Sequence, residues 1–197
     1  MIIAEQPQDE MACRLGADLE GSFEGMMAVY QDRLFAFALR LSGNPQDAEE
    51  IVQDAFVRSY RALSGYPAER IAGLALRPWL YKITLNVFRN RARRKIPPVD
   101  SLDAWAEDGI RPEPRAPEGD RPDAEAARAE QRRELGAYVA ALPERYRAAV
   151  VLRHVAGLPY AEIAAVLGQA EGTAKSNVHR GIQQLRRSMP AQDSIER

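Results

Sequence analysis

The amino-acid sequence predicts an all-α protein of two small helical domains, a three-helix-type bundle and a helix-turn-helix bundle, joined by a proline-rich acidic linker. Apolar residues recur at helical spacing along most of the chain, and no convincing run alternates as a β-strand does. Between residues 97 and 125 this pattern is replaced by prolines and acidic residues, a composition that cannot build a core. The two patterned regions are therefore predicted to be separate domains.

The charge totals alone do not indicate a nucleic-acid binder. The 197 residues include 27 Lys and Arg and 28 Asp and Glu, which gives a net charge of −1. Many of the acids that balance the cations stand in the linker, so basic patches elsewhere are compatible with a near-neutral total. The distribution of charge therefore carries more information than its sum.

Cysteine usage and hydropathy exclude several classes of protein. The single cysteine, Cys13, allows neither an intrachain disulfide nor a cysteine-rich zinc site, and we interpret it as incidental. No apolar run approaches the roughly 20 residues that a membrane-spanning helix needs. Acidic residues precede any apolar stretch, unlike in a signal peptide. We therefore expect a cytoplasmic protein with no stable membrane insertion.

The first domain is predicted over residues 21–96, after a poorly ordered extension over residues 1–20. Its first helix starts near Phe23 and ends at "SGNP", where Asn44 is suited to cap a following helix with Pro45 in the first position. The apolar face of the first helix comprises Phe23, Met26, Met27, Tyr30, Leu34, Phe37, Ala38 and Leu41.

Two further helices complete the first domain. One is expected from about Pro45 to Leu63 and the other from about Pro78 to Lys95, with an irregular loop between them. Three amphipathic helices with short connections predict a bundle. The stripe of the second helix is Ala48, Ile51, Val52, Ala55, Phe56, Ser59, Tyr60 and Leu63. The inward residues of the third helix are Trp79, Leu80, Ile83, Val87 and Phe88.

The second domain is predicted over residues 126–190, after the linker of residues 97–125 and before a tail of residues 191–197. Its last two helices, a short one ending at Leu167 and a longer one starting at Glu171, form a helix-turn-helix pattern. The core they share is expected to comprise Ile163, Ala164, Leu167, Ala174, Val178, Ile182 and Leu185.

The outward face of the final helix carries polar and basic side chains. In a DNA-binding helix-turn-helix, the second helix offers its N-terminal residues to base edges in the major groove. Thr173, Ser176 and Asn177 are able to hydrogen-bond to bases or phosphates. The candidates for neutralising phosphates are Lys175, Arg180, Arg186 and Arg187. The alternative is an ordinary surface helix of an all-helical bundle.

The third helix is strongly basic, because residues 77–95 hold seven cations and no acid. A solvated helix face usually mixes charges of both signs, so this one favours phosphate contacts. The outward residues that share one face are Lys82, Asn86, Arg89 and Arg93. Trp79, Tyr81 and Phe88 are candidate stacking platforms for unpaired bases, with core packing as the alternative for Trp79 and Phe88.

The second helix has an acidic face formed by Asp47, Glu50, Gln53 and Asp54. Paired carboxylates occur in acid–base catalysis and at metal sites, but no histidine is near in the sequence. The two remaining interpretations are a solvated helix face and a docking surface for a partner helix. Sequence periodicity does not separate these two.

Three stretches resemble the conserved regions 2 and 4 of the bacterial sigma-70 family, in particular its small extracytoplasmic function (ECF) group. They are "DAEEIVQDAFVRSYRAL" (47–63), "RPWLYKITLNVFRNRARR" (77–94) and "LPERYRAAVVLRHVAGLPYAEIAAVLGQAEGTAKSNVHRGIQQLRR" (142–187). The resemblance covers roughly residues 23–187, and three motifs in the right order make it specific. It implies a non-catalytic subunit of bacterial RNA polymerase, with no catalytic residue, no metal and no cofactor.

The resemblance also implies three sets of contact residues. The acidic helix of region 2 docks on the clamp coiled coil of the polymerase β′ subunit, and the corresponding residues are Glu50, Gln53 and Asp54, flanked by Asp47 and Phe56. Recognition and melting of the minus-ten promoter element corresponds to the loop Ser64–Leu76 and to Trp79, Tyr81, Lys82, Asn86, Arg89, Asn90, Arg93 and Arg94. Recognition of the minus-thirty-five element corresponds to Thr173, Lys175, Ser176, Asn177, His179 and Arg180.

Further partners implied by the resemblance are the polymerase β flap, promoter DNA and an anti-sigma factor that covers the docking surfaces. The acidic linker would thread the polymerase cleft. The sequence departs from the family at three positions. Asn90 stands where an acid is frequent, Asn177 where Arg is common, and Gly181 where Ala is common. These departures bear on the promoter sequence that is recognised rather than on the role.

Two other classes of function compete with this interpretation. A DNA-binding regulator that acts alone through its helix-turn-helix predicts operator binding without polymerase. An enzyme needs a convergent set of nucleophile, base or metal ligands. The sequence has no glycine-rich phosphate loop of P-loop form and no metal-spaced His/Cys cluster. The sequence therefore favours the sigma-factor interpretation over both.

Overall fold

A computed structural model describes residues 8–95 and 123–189 of the protein, and every regular element within these two ranges is an α-helix. None of these helices is long and apolar enough to cross a lipid bilayer. The all-α fold class predicted from the sequence is confirmed. The helices are α1 (Gln8–Ala17), α2 (Leu19–Ser42), α3 (Pro45–Ser64), α4 (Ala68–Ala72), α5 (Leu76–Lys95), α6 (Asp123–Ala140), α7 (Glu144–His154), α8 (Tyr160–Leu167) and α9 (Glu171–Ser188).

The predicted linker of residues 97–125 lies outside the described residues, apart from its last three positions, which already belong to α6. The predicted tail of residues 191–197 and the first seven residues also lie outside them.

Helix α3 begins where the sequence predicts. Asn44 adopts an extended conformation (φ −133°, ψ 126°), and its side-chain oxygen accepts a hydrogen bond from the backbone N–H of Asp47 at 3.1 Å. Pro45 takes the first helical position, where its missing N–H is not needed. An N-cap of this kind stabilises a helix by about 1 kcal/mol. The buried face of α3 matches the predicted stripe except at Tyr60, which is exposed.

The core of the first bundle lies between α2, α3 and α5. Leu34 and Phe37 of α2 and Leu80 of α5 are completely or almost completely buried there. The hydroxyls of the buried Ser59 and Thr84 donate hydrogen bonds to backbone carbonyls four residues earlier, at 2.7 and 2.9 Å. These polar side chains therefore have partners within their own helices, and they leave the surrounding core apolar.

Two helices lie where the sequence predicts none. Helix α1 occupies part of the predicted poorly ordered extension, and α4 lies within the predicted irregular loop after α3. Ala12 and Leu15 of α1 and Ile71 of α4 are buried. Each helix is too short for its apolar periodicity to be recognised, and helices this short are marginal in isolation. Their order therefore comes from tertiary packing: α1 packs against α4 and also against α2 and α5.

Helices α8 and α9 form the predicted helix-turn-helix. Gly168 ends α8 in the left-handed conformation, with a φ of 66°. Leu167 and Ile182 are half-buried at the edge of the shared core. The predicted core residues that are buried are Ile163, Ala164, Ala174, Val178 and Leu185.

The two bundles pack against each other, and their buried apolar residues form one continuous cluster. Helix α8 contacts α5, and α7 contacts α2. The guanidinium of Arg147 in α7 donates hydrogen bonds to the carbonyls of Leu41 (2.8 Å) and Leu142 (2.9 Å). Arg77 of α5 donates to the carbonyl of Ala156. Burial lowers the pKa of Arg147, and its contacts with the carbonyl oxygens offset part of the desolvation.

Gly181 stands inside α9 where α7 approaches closely. A Cβ at this position would lie 2.5 Å from Cγ2 of Val150 and 3.3 Å from Cβ of Tyr146. Glycine within a helix costs about 1 kcal/mol relative to alanine. The closeness of α7 gives a physical reason for the glycine at this departure from the family pattern.

We expect Gly181→Ala to lower the free energy of unfolding by up to about 2 kcal/mol. Overpacking of about 1–3 kcal/mol outweighs the gain of about 1 kcal/mol in helix propensity. Chemical denaturation measures the difference. Gly172→Ala on the same helix is the matched control, because nothing lies within 4 Å of a Cβ there. A Gly181→Ala variant that is more stable than the wild type contradicts the expectation.

Candidate nucleic-acid interface

The outward side of α9 presents most of the polar residues that the sequence predicts to contact DNA. Thr173, Lys175, Ser176, His179 and Arg180 are exposed. Asn177 is half-buried, and its Nδ2 donates a hydrogen bond to Oε1 of Gln169 at 3.2 Å. Asn177 therefore ties α9 to the preceding turn, while its neighbours on α9 remain accessible.

A basic cluster extends this surface from α9 onto α7. A hydrogen bond from Arg180 is the largest cause of a lowered pKa at Tyr146. The guanidinium of Arg145 lies 4.6 Å from the centre of the same ring. Arg186 and Arg187 are exposed near the end of α9. The arrangement brings cations from two helices beside the small hydrogen-bonding residues of α9, as a phosphate-tracking surface requires.

Helix α5 forms a second basic surface. Its half-buried Arg89 donates from Nε to Oε1 of Glu144 in α7, at 2.6 Å. The other hydrophilic residues of α5 that are predicted to contact the minus-ten element are all exposed. They are Lys82, Asn86, Asn90, Arg93 and Arg94. One cation of this surface is therefore already held by the second bundle.

The structure corrects the assignment of Tyr81. Its side chain is 1% exposed and meets Phe37 edge to face, with ring centres 5.0 Å apart. Burial raises the pKa of its hydroxyl. Tyr81 is a core residue and cannot stack on a base in this conformation, whereas Trp79 is only half-buried.

The loop between α3 and α5 contains two residues that the sequence analysis did not single out. The guanidinium of Arg70 lies 3.8 Å from the centre of the Tyr66 ring. Tyr66 in turn faces Trp79, with ring centres 6.5 Å apart and an interplanar angle of 57°. An aromatic residue followed four positions later by a cation is the signal in the sequence that could have identified this cluster. Two aromatic rings and a cation form the kind of platform on which unpaired bases stack.

The acidic face of α3 is only partly open to solvent. The side chains of Glu50 and Asp54 are 58% and 50% exposed, and Gln53 is exposed while Asp47 is half-buried. Arg91 of α5 forms ion pairs with both Glu50 and Asp54, the latter at 2.9 Å. Within the described ranges, no group of three or more His, Cys, Asp or Glu is placed to hold a metal ion.

An apolar groove between α2 and α3 adjoins this acidic face. Phe56, an expected docking residue, is only 5% exposed and lies in the core. It lines the groove, and Val57 and Tyr60 are exposed along it. The other lining residues are Phe23, Met27, Gln31, Gln53 and Arg61. Phe56 therefore contributes to this surface from beneath, while Gln53 belongs to both the acidic face and the groove.

Comparison with known proteins identifies the family. Residues 26–96 match the family model described as Sigma-70 region 2, and residues 132–185 match Sigma-70, region 4. The ECF RNA polymerase sigma factor SigE of Mycolicibacterium smegmatis is 35% identical over 92% of this chain and 69% of that protein. The chain belongs to the ECF group of the sigma-70 family. SigW of Bacillus subtilis, a second ECF sigma factor, is 28% identical over 86% of this chain and 90% of its own length.

Solved structures share the fold of this sigma factor. CnrH in complex with the cytosolic domain of CnrY aligns with a TM-score of 0.67 at 22% identity, over 94% of this chain and 99% of that one. The sigma factor RpoE in complex with the anti-sigma factor NepR, from Bartonella quintana, aligns with a TM-score of 0.62 at 25% identity. That alignment covers 84% of this chain and 94% of RpoE. Helices α3, α4 and α5 and most of α2 lie within the region 2 match, and α7, α8 and most of α9 lie within the region 4 match.

We expect Glu144→Ala to strengthen the binding of single-stranded DNA by the free sigma factor up to about fivefold. The change releases Arg89 from a partly exposed ion pair worth about 0.2–1 kcal/mol. Fluorescence anisotropy with a labelled oligonucleotide measures the affinity.

Glu134→Ala on α6 is the control for Glu144→Ala, because it removes the same charge from another exposed position. Equal effects of the two changes would mean that only net charge matters, which contradicts a specific role for the Arg89–Glu144 pair.

Proposed function

We propose that this ECF sigma factor binds core RNA polymerase, directs it to specific promoters and helps to melt the DNA for initiation. The observation that carries the proposal is the presence of regions 2 and 4 in one chain, with opposite charges on separate faces. The acidic face lies on α3, whereas α5 and α9 present cations. Proteins of this family are transcription regulators, and we propose that this one acts in the cytoplasm.

The acidic face of α3 docks on the clamp coiled coil of the β′ subunit. Glu50, Gln53 and Asp54 supply the exposed polar contacts, with Asp47 beside them. The adjoining groove adds apolar area next to the carboxylates. Such a combination suits a helical partner with a basic edge, because charge complementarity sets orientation while apolar contact contributes affinity. Region 4 contacts the β flap.

Helix α5 and the loop before it recognise and melt the minus-ten element. The outward cations of α5 hold the backbone, and Asn86 and Asn90 are available to base edges. Unstacking a base costs a few kcal/mol, whereas stacking on an aromatic side chain returns about 1–3 kcal/mol per base. The cluster of Tyr66, Arg70 and Trp79 is placed to supply part of that stacking free energy.

Helix α9 reads the minus-thirty-five element in the major groove. Thr173 and Ser176 lie in its first two turns, where a recognition helix meets base edges. Lys175 and Arg180 contact phosphates. Asn177 has to exchange its hydrogen bond with Gln169 for one to DNA if it reads a base.

The packing of the two bundles has to open for both elements to be bound together. Their centres, about 25 base pairs apart, are separated by about 85 Å of B-form DNA, yet Arg89 and Glu144 are in direct contact. The 27 residues between Lys95 and Asp123 could span at most about 97 Å. The closed packing supports the expectation that the free protein binds promoter duplex poorly. We propose that core polymerase is the partner that separates the bundles.

We further propose that an anti-sigma factor holds the protein by covering its docking surfaces. The support is the similarity to the RpoE–NepR complex. The apolar groove between α2 and α3, with exposed Val57 and Tyr60 beside carboxylates, offers a continuous site for an amphipathic helix.

We expect Glu50→Lys/Asp54→Lys to lose binding to core polymerase by at least about tenfold, because two attractive contacts become repulsive. A pull-down with core polymerase, followed by run-off transcription from a promoter library, measures the loss. The control is Glu20→Lys/Glu24→Lys on α2, which makes the same charge change on exposed residues. Retention of core binding by the α3 variant refutes the docking assignment.

We expect Lys175→Ala and Ser176→Ala to separate phosphate contacts from base recognition in the holoenzyme. Lys175→Ala should weaken binding equally across minus-thirty-five sequences and reduce the salt slope by about 1. Ser176→Ala should instead lower discrimination at one base pair by about 1 kcal/mol or more. Filter binding to promoter variants at several salt concentrations distinguishes them. The same pattern for both variants would contradict the proposed orientation of α9.

A further inference from the structure

Helix α1 packs against α4, which lies in the loop that carries Tyr66 and Arg70, and α1 precedes the residues that the region 2 family model matches. The region 2 match begins at residue 26, after α1 has ended at Ala17. Yet Ala12 and Leu15 are completely buried, and α1 packs against α4. A short helix with buried contacts to α4 is placed to influence the proposed base-binding loop that contains α4.

The contact between α1 and α4 is close enough to involve the backbone of both helices. A Cβ on Gly16 would lie 2.7 Å from the carbonyl oxygen of Ala68 and 3.3 Å from the backbone nitrogen of Ala72. Real Cβ atoms do not approach a backbone oxygen this closely, so any side chain at position 16 requires α4 to move. Gly16 therefore determines how near α4 lies to α1.

Helix α4 depends on this contact for its position. It has five residues, and Pro67 at its N-cap provides no side-chain hydrogen bond. A helix of one turn is not stable alone, so α4 is held by its buried Ile71 and by α1. Arg70 is part of α4, and Tyr66 lies two residues before the start of α4. A displacement of α4 therefore displaces the platform that these residues form with Trp79.

Helix α1 is itself anchored to the main bundle. Asp18, between α1 and α2, caps α2 by accepting a hydrogen bond from the backbone N–H of Gly21 at 3.0 Å. The backbone N–H of Asp18 donates to the carbonyl of Arg14 at 2.9 Å and so continues from α1. Asp18 is the single residue between the two helices, and both its side chain and its backbone N–H are hydrogen-bonded. The long helix α2 therefore orients α1.

We propose that α1 is a positioning element for promoter melting. Gly16 sets the distance between α1 and α4, and α1 thereby places Tyr66 and Arg70 where an unpaired minus-ten base stacks. This inference rests on the proposed function of the loop in melting. It assigns to α1 no contact with DNA or polymerase, and its role is exerted through α4.

The test compares two glycine-to-alanine changes in the full-length protein with core polymerase. Gly16→Ala introduces the collision with α4, and Gly25→Ala on α2 adds the same methyl group where nothing lies within 4 Å. Run-off transcription is measured from a promoter that the wild type selects from a library, and from the same promoter with each minus-ten base pair changed in turn.

We expect Gly16→Ala to reduce transcription from the selected promoter about tenfold, the factor that corresponds to losing one stacked base. It should also flatten the preference among the minus-ten variants. Core binding should stay unchanged, and Gly25→Ala should match the wild type throughout. Faster amide hydrogen exchange over residues 68–74 in Gly16→Ala alone would confirm that α4 has been released.

Two results would overturn the proposal. One is that Gly16→Ala transcribes at the wild-type rate and keeps the wild-type preference among the minus-ten variants. The other is reduced activity with an intact minus-ten preference, which indicates a merely structural role. If Gly16→Ala does not fold, Leu15→Val loosens the packing of the buried face of α1 more gently, and the same two results decide. Failure of the wild type to select any promoter would instead count against the proposed function as a whole.

Discussion

The structure depends on how one helix, α5, accommodates seven cations without an acid of its own. Gathering like charges along a helix is unfavourable unless other elements supply counter-charges or oxygen acceptors. Three elements do so: α3 supplies Glu50 and Asp54 to Arg91, α7 supplies Glu144 to Arg89, and the turn after α7 supplies the carbonyl of Ala156 to Arg77. The cations of α5 thus connect the acidic face of region 2 and the interface with region 4.

These internal partners have the same chemistry as the external ones proposed for this sigma factor. A phosphate that approaches Arg89 competes with the carboxylate of Glu144. A basic partner that approaches Glu50 and Asp54 competes with the guanidinium of Arg91. Because Arg91 belongs to the helix proposed to bind DNA and its partners belong to the helix proposed to dock polymerase, occupation of one surface alters the electrostatic environment of the other.

The elements with strong local signals could be predicted from the sequence. The cap at Asn44 and Pro45, the stripe of α3 and the helix-turn-helix each depend on residues within a few positions of one another. The buried position of Tyr81 could not be predicted, because α5 packs against α2 and α3 and also against α8 from the other bundle. Helix α5 therefore has buried residues on more than one face, which a single apolar stripe in the sequence does not reveal. Contacts such as Arg147 with Leu41 join residues 106 positions apart, for which a single sequence contains no signal.

The short helices were missed for a different reason. Helices α1 and α4 have too few apolar residues to produce a recognisable period, and their order comes from tertiary contacts: α1 with α2, α4 and α5, and α4 with α1. The candidate site was predicted best where exposure follows from helical phase, as for Lys82 and Asn86. It is predicted least well where a residue is half-buried and already has a partner. Arg89 pairs with Glu144, 55 positions away, and Asn177 is tied to Gln169 of the preceding turn.

The interface between the two bundles does not need to be strong, because both bundles belong to one chain. The bundles are joined by 27 residues, and a tether of this kind keeps each at a local concentration on the order of millimolar around the other. An interface too weak to unite two separate proteins at cellular concentrations is then still mostly formed within one chain. A partner that binds in the nanomolar range can displace it easily, so the resting state can be both well populated and readily reversed.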